Sequence, residues 1–401
     1  MDNFITFVEK AQKASEIIAA GSSILQLSVK NFEQLGILCS HQEIRSVRNI
    51  VCNSIKSCLE SHITGEIYEY NKFFYFIIKD KNPERINKLA LDLRDQIISE
   101  SANLIFMDVK IIACPLSNES ELSDIIMLLA NQINYSNKDA IFSFISEPSL
   151  LIDKIKQDYQ LLRELKLAIE GKTACFAFQP VITCKTGEIA YHECLLRLSN
   201  DDYKLVSAGK YIMLAERYGF VIDVDKYVFD MAVRELQSSD NIKLSVNLSN
   251  IAVQDKIISS YILDLIRKSS TGDRIIIEIT ETAFNDNFEA TKYFVDTAKS
   301  MGCKIALDDF GAGYTSFNQI RNFAIDIIKI DGCFIRGLDE NHKNRVLVET
   351  LIKTSEELGC KTVAEFVENG SIAKQLIDLK VDYMQGNFFS PAINYRTWKK
   401  K

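Results

Sequence analysis

The sequence predicts an α/β protein, a (β/α)₈ TIM-like barrel filling the second half of the chain behind a smaller α+β domain. Three observations predict it. After Gly171, apolar runs recur at regular intervals with helical stretches between most of them. Eight such runs fit within about 230 residues, the count and size of a barrel. Each run carries an acidic, amide or cationic residue at or near its C-terminal end, where barrels gather their reactive groups. An open doubly wound sheet would call for a G-x-G-x-x-G turn, and the chain has none.

Composition bounds the function. The chain has 401 residues, 47% hydrophobic and 25% charged, enough for two domains. A net charge of -7 without a long basic block argues against tight binding to bulk nucleic acid, which needs clustered Lys and Arg. The 10 cysteines form no C-x-x-C pair and no zinc-spaced Cys/His cluster. Most, like Cys114, Cys175, Cys194 and Cys360, sit in apolar runs as small hydrophobes, which fits a reducing cytosol. The start, Met1-Asp2-Asn3-Phe4, lacks a basic and apolar leader, and no apolar stretch reaches the roughly 18–20 residues of a membrane span. A soluble, cytoplasmic protein is expected.

The elements follow in order. Residues 3–19 carry Phe4, Phe7, Val8, Ala11, Ile17 and Ile18 at near-helical spacing, with Gly21 as a stop. That helix is a core element or a dimer contact, the core being favoured. A strand at Ile24–Lys30, a helix at His41–Glu60 and an aromatic strand at Ile67–Ile78 come next. Then come a helix at Pro83–Ser99 opening on proline, a strand at Leu104–Cys114, a helix at Glu119–Asn134 and a strand at Ile141–Ile145. This makes one compact α+β domain. Glu147-Pro148-Ser149 marks the boundary, so the domains are 1–149 and 150–401. Residues 150–170 read as an amphipathic connecting helix with Leu151, Ile155, Tyr159, Leu162 and Leu165 on one side. The barrel strands are Phe176–Val181, Tyr191–Leu198, Lys243–Leu248, Arg274–Ile279, Lys304–Asp308, Asp326–Ile330, Lys361–Ala364 and Tyr383–Phe388.

Collected at one mouth, Glu193, Asn247, Glu278, Asp308, Asp309 and Glu365 make an oxygen-rich site. So many acids and amides conflict unless a cation lies among them. Hard oxygen ligands suit Mg²⁺ or Mn²⁺, and two ions roughly 3.5–4 Å apart would serve phosphoester displacement. His192, alone beside Glu193, reads as structural.

These residues also carry a resemblance. Glu193-Cys194-Leu195-Leu196-Arg197 resembles the EALLR motif of EAL-domain cyclic-di-GMP phosphodiesterases. In register with it stand Phe178-Gln179-Pro180, Ser245-Val246-Asn247-Leu248-Ser249 and Glu278-Ile279-Thr280-Glu281. Asp308-Asp309-Phe310-Gly311-Ala312-Gly313-Tyr314, Ile328-Lys329-Ile330-Asp331, Ala364-Glu365-Phe366-Val367-Glu368 and Gln385-Gly386 complete the set, over residues 155–395. The resemblance implies Glu193, Asn247, Glu278 and Asp308 as metal ligands, Asp309 for a second ion, and Glu365 as both metal ligand and helper of the attacking water. It implies Lys329 as the residue orienting or activating that water, and Gln179, Arg197 and Gln385 as substrate contacts. Glu281 would steady the loop after Asp308-Asp309, and dimerisation through the barrel would follow. The expected activity is hydrolysis of cyclic-di-GMP to linear pGpG. The alternative is a weak or inactive receptor or scaffold that acts through partner proteins, although no ligand position is lost.

The departures are Cys194 for alanine, Ala312 for threonine, Phe366 for a common glycine, and Asn387 and Ser390 in the tail after Gln385-Gly386. The first domain resembles a degenerate GGDEF diguanylate cyclase domain. Ser28 and Lys30 stand at acidic positions, Tyr70-Asn71-Lys72-Phe73-Phe74 replaces the signature hairpin, and no arginine lies between Arg48 and Lys72 for an inhibitory site. A regulatory or dimerising role without cyclase activity is expected, and the missing glycines argue against GTP sensing.

Overall fold

The structure is a computed structural model, and it describes residues 21–70, 72–102, 106–116, 121–131, 140–199, 204–283, 287–311 and 322–398. Chain contacts separate two compact units, Met1–Asp158 and Tyr159–Lys401. The expected helix at 3–19 lies outside the described residues.

In the first unit, β1 (Ser23–Val29), β2 (Ile63–Tyr70), β3 (Phe73–Ile78), β4 (Val109–Pro115) and β5 (Phe142–Phe144) form one sheet in the order β2-β3-β1-β4-β5. β1 and β3 are buried along their whole length, because both faces of the sheet are covered. Helices His41–Cys58 and Pro83–Ser101 cover one face through Val51, Ile55, Leu93 and Ile97, which pack with Leu25, Leu27 and Phe76. Helix Leu122–Asn131 covers the other, with Ile125 and Leu129 beside Ile24, Tyr75 and Ile112. Ser40 and Glu43 start the first helix as a reciprocal capping box, and Asn82 caps the second ahead of Pro83. The single strand expected at Ile67–Ile78 is corrected to two antiparallel strands, Tyr70 facing Phe73. The aromatic run doubles back without a glycine or proline to announce the turn. The short helix Phe32–Leu38 was not expected, and β4 begins at Val109 rather than Leu104.

Helix Pro148–Glu170 begins within Glu147-Pro148-Ser149. Its Ile152 belongs to the core of the first unit and its Leu165 to that of the second. The second unit holds β6 (Cys175–Thr183), β7 (Ile189–Ser199), β8 (Leu205–Ser207), β9 (Leu244–Leu248), β10 (Ile275–Thr280), β11 (Lys304–Phe310), β12 (Ile327–Ile330), β13 (Lys361–Ala364) and β14 (Tyr383–Met384). Their order, β6-β14-β13-β12-β11-β10-β9-β7-β8, closes into a barrel by pairing of β6 with β7, and β8 hangs on β7.

The expected strands are present, with one difference of direction. β6 runs antiparallel to both β7 and β14, while β7 and β9 through β14 run parallel to one another around the rest of the ring. The reason is the connection. β6 returns into β7 through a tight turn in which Gly187 N–H bonds Thr183 O at 2.9 Å, and a parallel pair would need a crossover of about a dozen residues or more.

Inside the barrel, side chains stack in layers. Val181, Tyr191, Ile276, Ala306, Ile327 and Val363 form an apolar floor. Two residues further along the parallel strands, the same face carries Glu193, Glu278, Asp308, Lys329 and Glu365. On the reversed β6 the step runs backwards, from Val181 to Gln179. The floor thus levels the polar layer. Ile276→Ala should open a cavity in it and cost about 2–5 kcal/mol, read as a lowered urea midpoint of the barrel transition. A loss well under 1 kcal/mol would mean that the floor is not close-packed.

Candidate active site

Lys329 is the centre of the polar layer. It is 1% exposed on a strand otherwise made of isoleucine. Its Nζ lies 2.6 Å from Glu278 Oε2, 2.8 Å from Glu365 Oε1, 2.9 Å from Asp308 Oδ1 and 3.8 Å from Glu193 Oε2. Burial alone would lower the ammonium's pKa, but these carboxylates hold it well above its ordinary value. One ammonium cannot neutralise them all. Burial, and then the charge of Glu193, pushes Glu278 well above its usual range. Burial likewise raises Glu365 to about 8.

Amides orient Glu193. Asn247 Nδ2 donates to its Oε1 at 3.0 Å and Gln385 Nε2 to its Oε2 at 2.6 Å. The same Gln385 amide lies 3.2 Å from Gln179 Oε1, while Gln179 Nε2 donates to Ser390 O at 3.2 Å. Gln179 sits directly opposite Glu193 in the β6–β7 ladder, so the hairpin brings them together. Behind this group Asp225, buried on helix Val221–Gln237, accepts from Ser249 N at 3.3 Å and Ser249 Oγ at 2.5 Å. It thereby fixes the turn two residues past Asn247.

Asp309 has φ +54, a left-handed conformation that turns its carboxylate out of the strand pleat. Burial, then Asp308 and Asp331, raises it to about 6. Asp331 accepts from Cys333 N at 2.7 Å and caps the helix Gly332–Ile335. Asp308, Asp309 and Glu365 offer oxygens within 4.8 Å of one another, a group that could hold a metal ion. The donor set fits a hard divalent cation: it is all oxygen, and buried Glu278 Oε1 has no hydrogen-bond partner among the described residues.

A cavity of about 450 Å³ opens over this layer, lined by Gln179, Glu193, Arg197, Asp308, Asp309, Lys329, Arg336, Glu365, Phe366, Glu368 and Gln385. The structure therefore brings together the expected residues Glu193, Asn247, Glu278, Asp308, Asp309, Lys329, Glu365, Gln179 and Gln385, with Arg197 on the cavity wall. Glu281 is buried beyond β10, and the loop it was expected to steady lies largely outside the described residues. His192 packs its ring on Trp398 at 4.6 Å, and burial lowers it to about 4. It serves packing. Sequence reasoning did not single out Tyr191, Asp225 or Arg336, and it quoted Asp331 within a motif without giving it a role. Tyr191 and Asp331 were within reach, each two residues from a site residue on a strand face; Asp225 and Arg336 had no such signal.

The fold and the site point to one family. The EAL domain profile matches residues 162–392, more than half of the chain, and the chain belongs to the EAL domain family. It is 27% identical to the cyclic di-GMP phosphodiesterase PdeA of Borreliella burgdorferi over 79% of this chain and 49% of that protein. The chain spans about half or less of the curated relatives it matches. Among solved structures, a MucR phosphodiesterase in complex with c-di-GMP is 25% identical with TM-score 0.55, over 58% of this chain and 97% of that one. The S helix-GGDEF-EAL portion of Vibrio cholerae LapD is 17% identical, covers 94% of this chain and 92% of its own, and shares the fold with TM-score 0.55.

The raised carboxylates set a pH dependence. Between the ordinary values of 3.8 to 4.5 and the folded values of about 6 for Asp309, about 7 for Asp225 and about 8 for Glu365, the native state holds more protons than the unfolded one. Stability is therefore fully present at the acid end of this window and is lost as pH rises through it. Lys329, raised above 10.5, adds nothing to this slope there. Chemical unfolding in a chelator should follow this fall, and added Mn²⁺ should offset it at pH 8. A chelated protein whose stability climbs from pH 4.5 to 8 would contradict the assignment.

Proposed function

We propose that this chain is a metal-dependent phosphodiesterase that hydrolyses cyclic-di-GMP to linear 5′-pGpG. The observation that carries the reading is the buried Lys329 ammonium ringed by Glu193, Glu278, Asp308 and Glu365 at the floor of an open cavity. Four carboxylates around one ammonium leave an excess of negative charge facing the cavity.

Glu193, Asn247, Glu278, Asp308, Asp309 and Glu365 would hold Mg²⁺ or Mn²⁺, two ions in all, which would activate water and offset phosphate charge. Lys329 would hold the attacking water by its charge, and Glu365, whose Oε1 lies 2.8 Å from Lys329 Nζ, would assist that water by taking its proton. Arg197 offsets charge developing on the phosphoryl oxygens. Gln179 and Gln385 position substrate from the reversed strand and the last one. Formation of 5′-pGpG requires that the P–O3′ bond of one diester break.

We further read residues 150–401 as the phosphodiesterase domain and 1–149 as a degenerate GGDEF-like regulatory or dimerising domain. In support, Ser28 is buried with its Oγ 3.3 Å from Lys110 O, and Phe73 and Phe74 are buried where a nucleotide-binding hairpin would be open. Homodimerisation through the barrel belongs to the same reading. A reducing cytoplasm suits the free thiols. The described helices include none long and apolar enough to cross a membrane.

Incubation of the full chain with cyclic-di-GMP and Mg²⁺ or Mn²⁺ should yield pGpG by chromatography, and Glu193→Ala should cut kcat by about 10²-fold or more. Absence of pGpG across both metals would sink the proposal and favour the receptor reading.

A further inference from the structure

Phe366 is placed where packing alone would not put a phenylalanine. Its φ is +52, the left-handed region that costs a side-chain-bearing residue free energy and glycine none. It follows Glu365 directly, lines the same cavity, and leaves 47% of its surface exposed. A single exposed aromatic is ordinary on a protein surface. This one has a prepared seat. A Cβ on Gly332 would lie 2.3 Å from Phe366 Cδ2, so the helix Gly332–Ile335 accepts the ring only because that position is bare. The next residue after that helix, Arg336, sets its guanidinium carbon 4.4 Å from the ring centroid. Arg336 Nε lies 3.5 Å from Glu368 Oε1, which tethers the cation over the ring.

We propose that Phe366 and Arg336 form a stacking platform for one purine base of the bound cyclic dinucleotide, and so set substrate affinity. The inference rests on the proposed cyclic-di-GMP phosphodiesterase activity and deepens it. A planar base gains from an aromatic face and from a guanidinium plane, and both stand at one wall of the cavity whose floor holds the reactive residues. Glu365 and Phe366 are neighbours in sequence, so a diester held at the first has its base within reach of the second. The strain at φ +52 is retained at a ligand-facing residue, where strained backbone recurs.

The test compares the full chain with Phe366→Gly, Phe366→Leu and Phe366→Tyr. The readout is KM for pGpG formation with Mn²⁺, or, if the wild type forms no pGpG, the calorimetric Kd for cyclic-di-GMP. Phe366→Gly should raise that constant about tenfold, Phe366→Leu should raise it although it keeps apolar bulk, and Phe366→Tyr should stay within about twofold of wild type. Thermal melting of Phe366→Gly should not fall, because its backbone suits glycine. Constants unchanged in Phe366→Gly, or equal for leucine and phenylalanine, overturn the platform and leave the proposed activity standing. A wild type that binds cyclic-di-GMP without cleaving it overturns the activity, while the Kd series still decides the platform. A wild type that neither cleaves nor binds it overturns both.

Discussion

A lysine buried among four carboxylates is the constraint on which the barrel interior depends. Lys329 Nζ reaches Glu278, Glu365 and Asp308 within 2.9 Å, each on or beside a different strand. Removing the lysine would leave four crowded carboxylates without a cation, which costs far more than any one pair contributes. The strand register is therefore tied to the site: a slip of one residue would turn Lys329 into the helical layer and its partners with it. The apolar floor under them, from Val181 to Val363, keeps water from solvating the cluster from below. The cluster is left to seek its missing positive charge from the cavity side.

The same arrangement explains why two residues at strand ends take left-handed backbone. Asp309 and Phe366 lie immediately after Asp308 and Glu365, whose side chains must point inward. A continuing pleat would turn the next residue toward the surrounding helices. The positive φ instead keeps both at the cavity, one as an oxygen donor and one as an aromatic wall.

Much of this was legible in the chain. Alternation in Ile276 and Glu278, Ala306 and Asp308, Ile327 and Lys329, and Val363 and Glu365 gives the inward face directly, and the site residues fall two positions above the floor. A lysine within Ile327–Ile330 could be read only as buried and paired. The direction of β6 was readable from the short link to β7 but went unused. The turn between β2 and β3 had a signal in the polar pair Asn71 and Lys72 and in the hairpin that the resemblance implied there, but the aromatic run on both sides outweighed it. Asp225, more than twenty residues from Ser249, meets it only because helix Val221–Gln237 folds back beside β9. The Arg336–Phe366 stack depends on a backbone angle, which residue type alone does not reveal.

The reversal of β6 also decides where the chain enters the barrel. In a barrel whose first strand is parallel to the rest, the preceding segment arrives at the closed base. Here β6 begins at the open end, Cys175 lying across from Arg197. The helix Pro148–Glu170 accordingly delivers its last turn to the rim, with only residues 171–174 before the strand. That helix therefore meets the barrel at the lip beside Arg197 and not under the packed floor. The covalent tether thus ends on the working side of the domain.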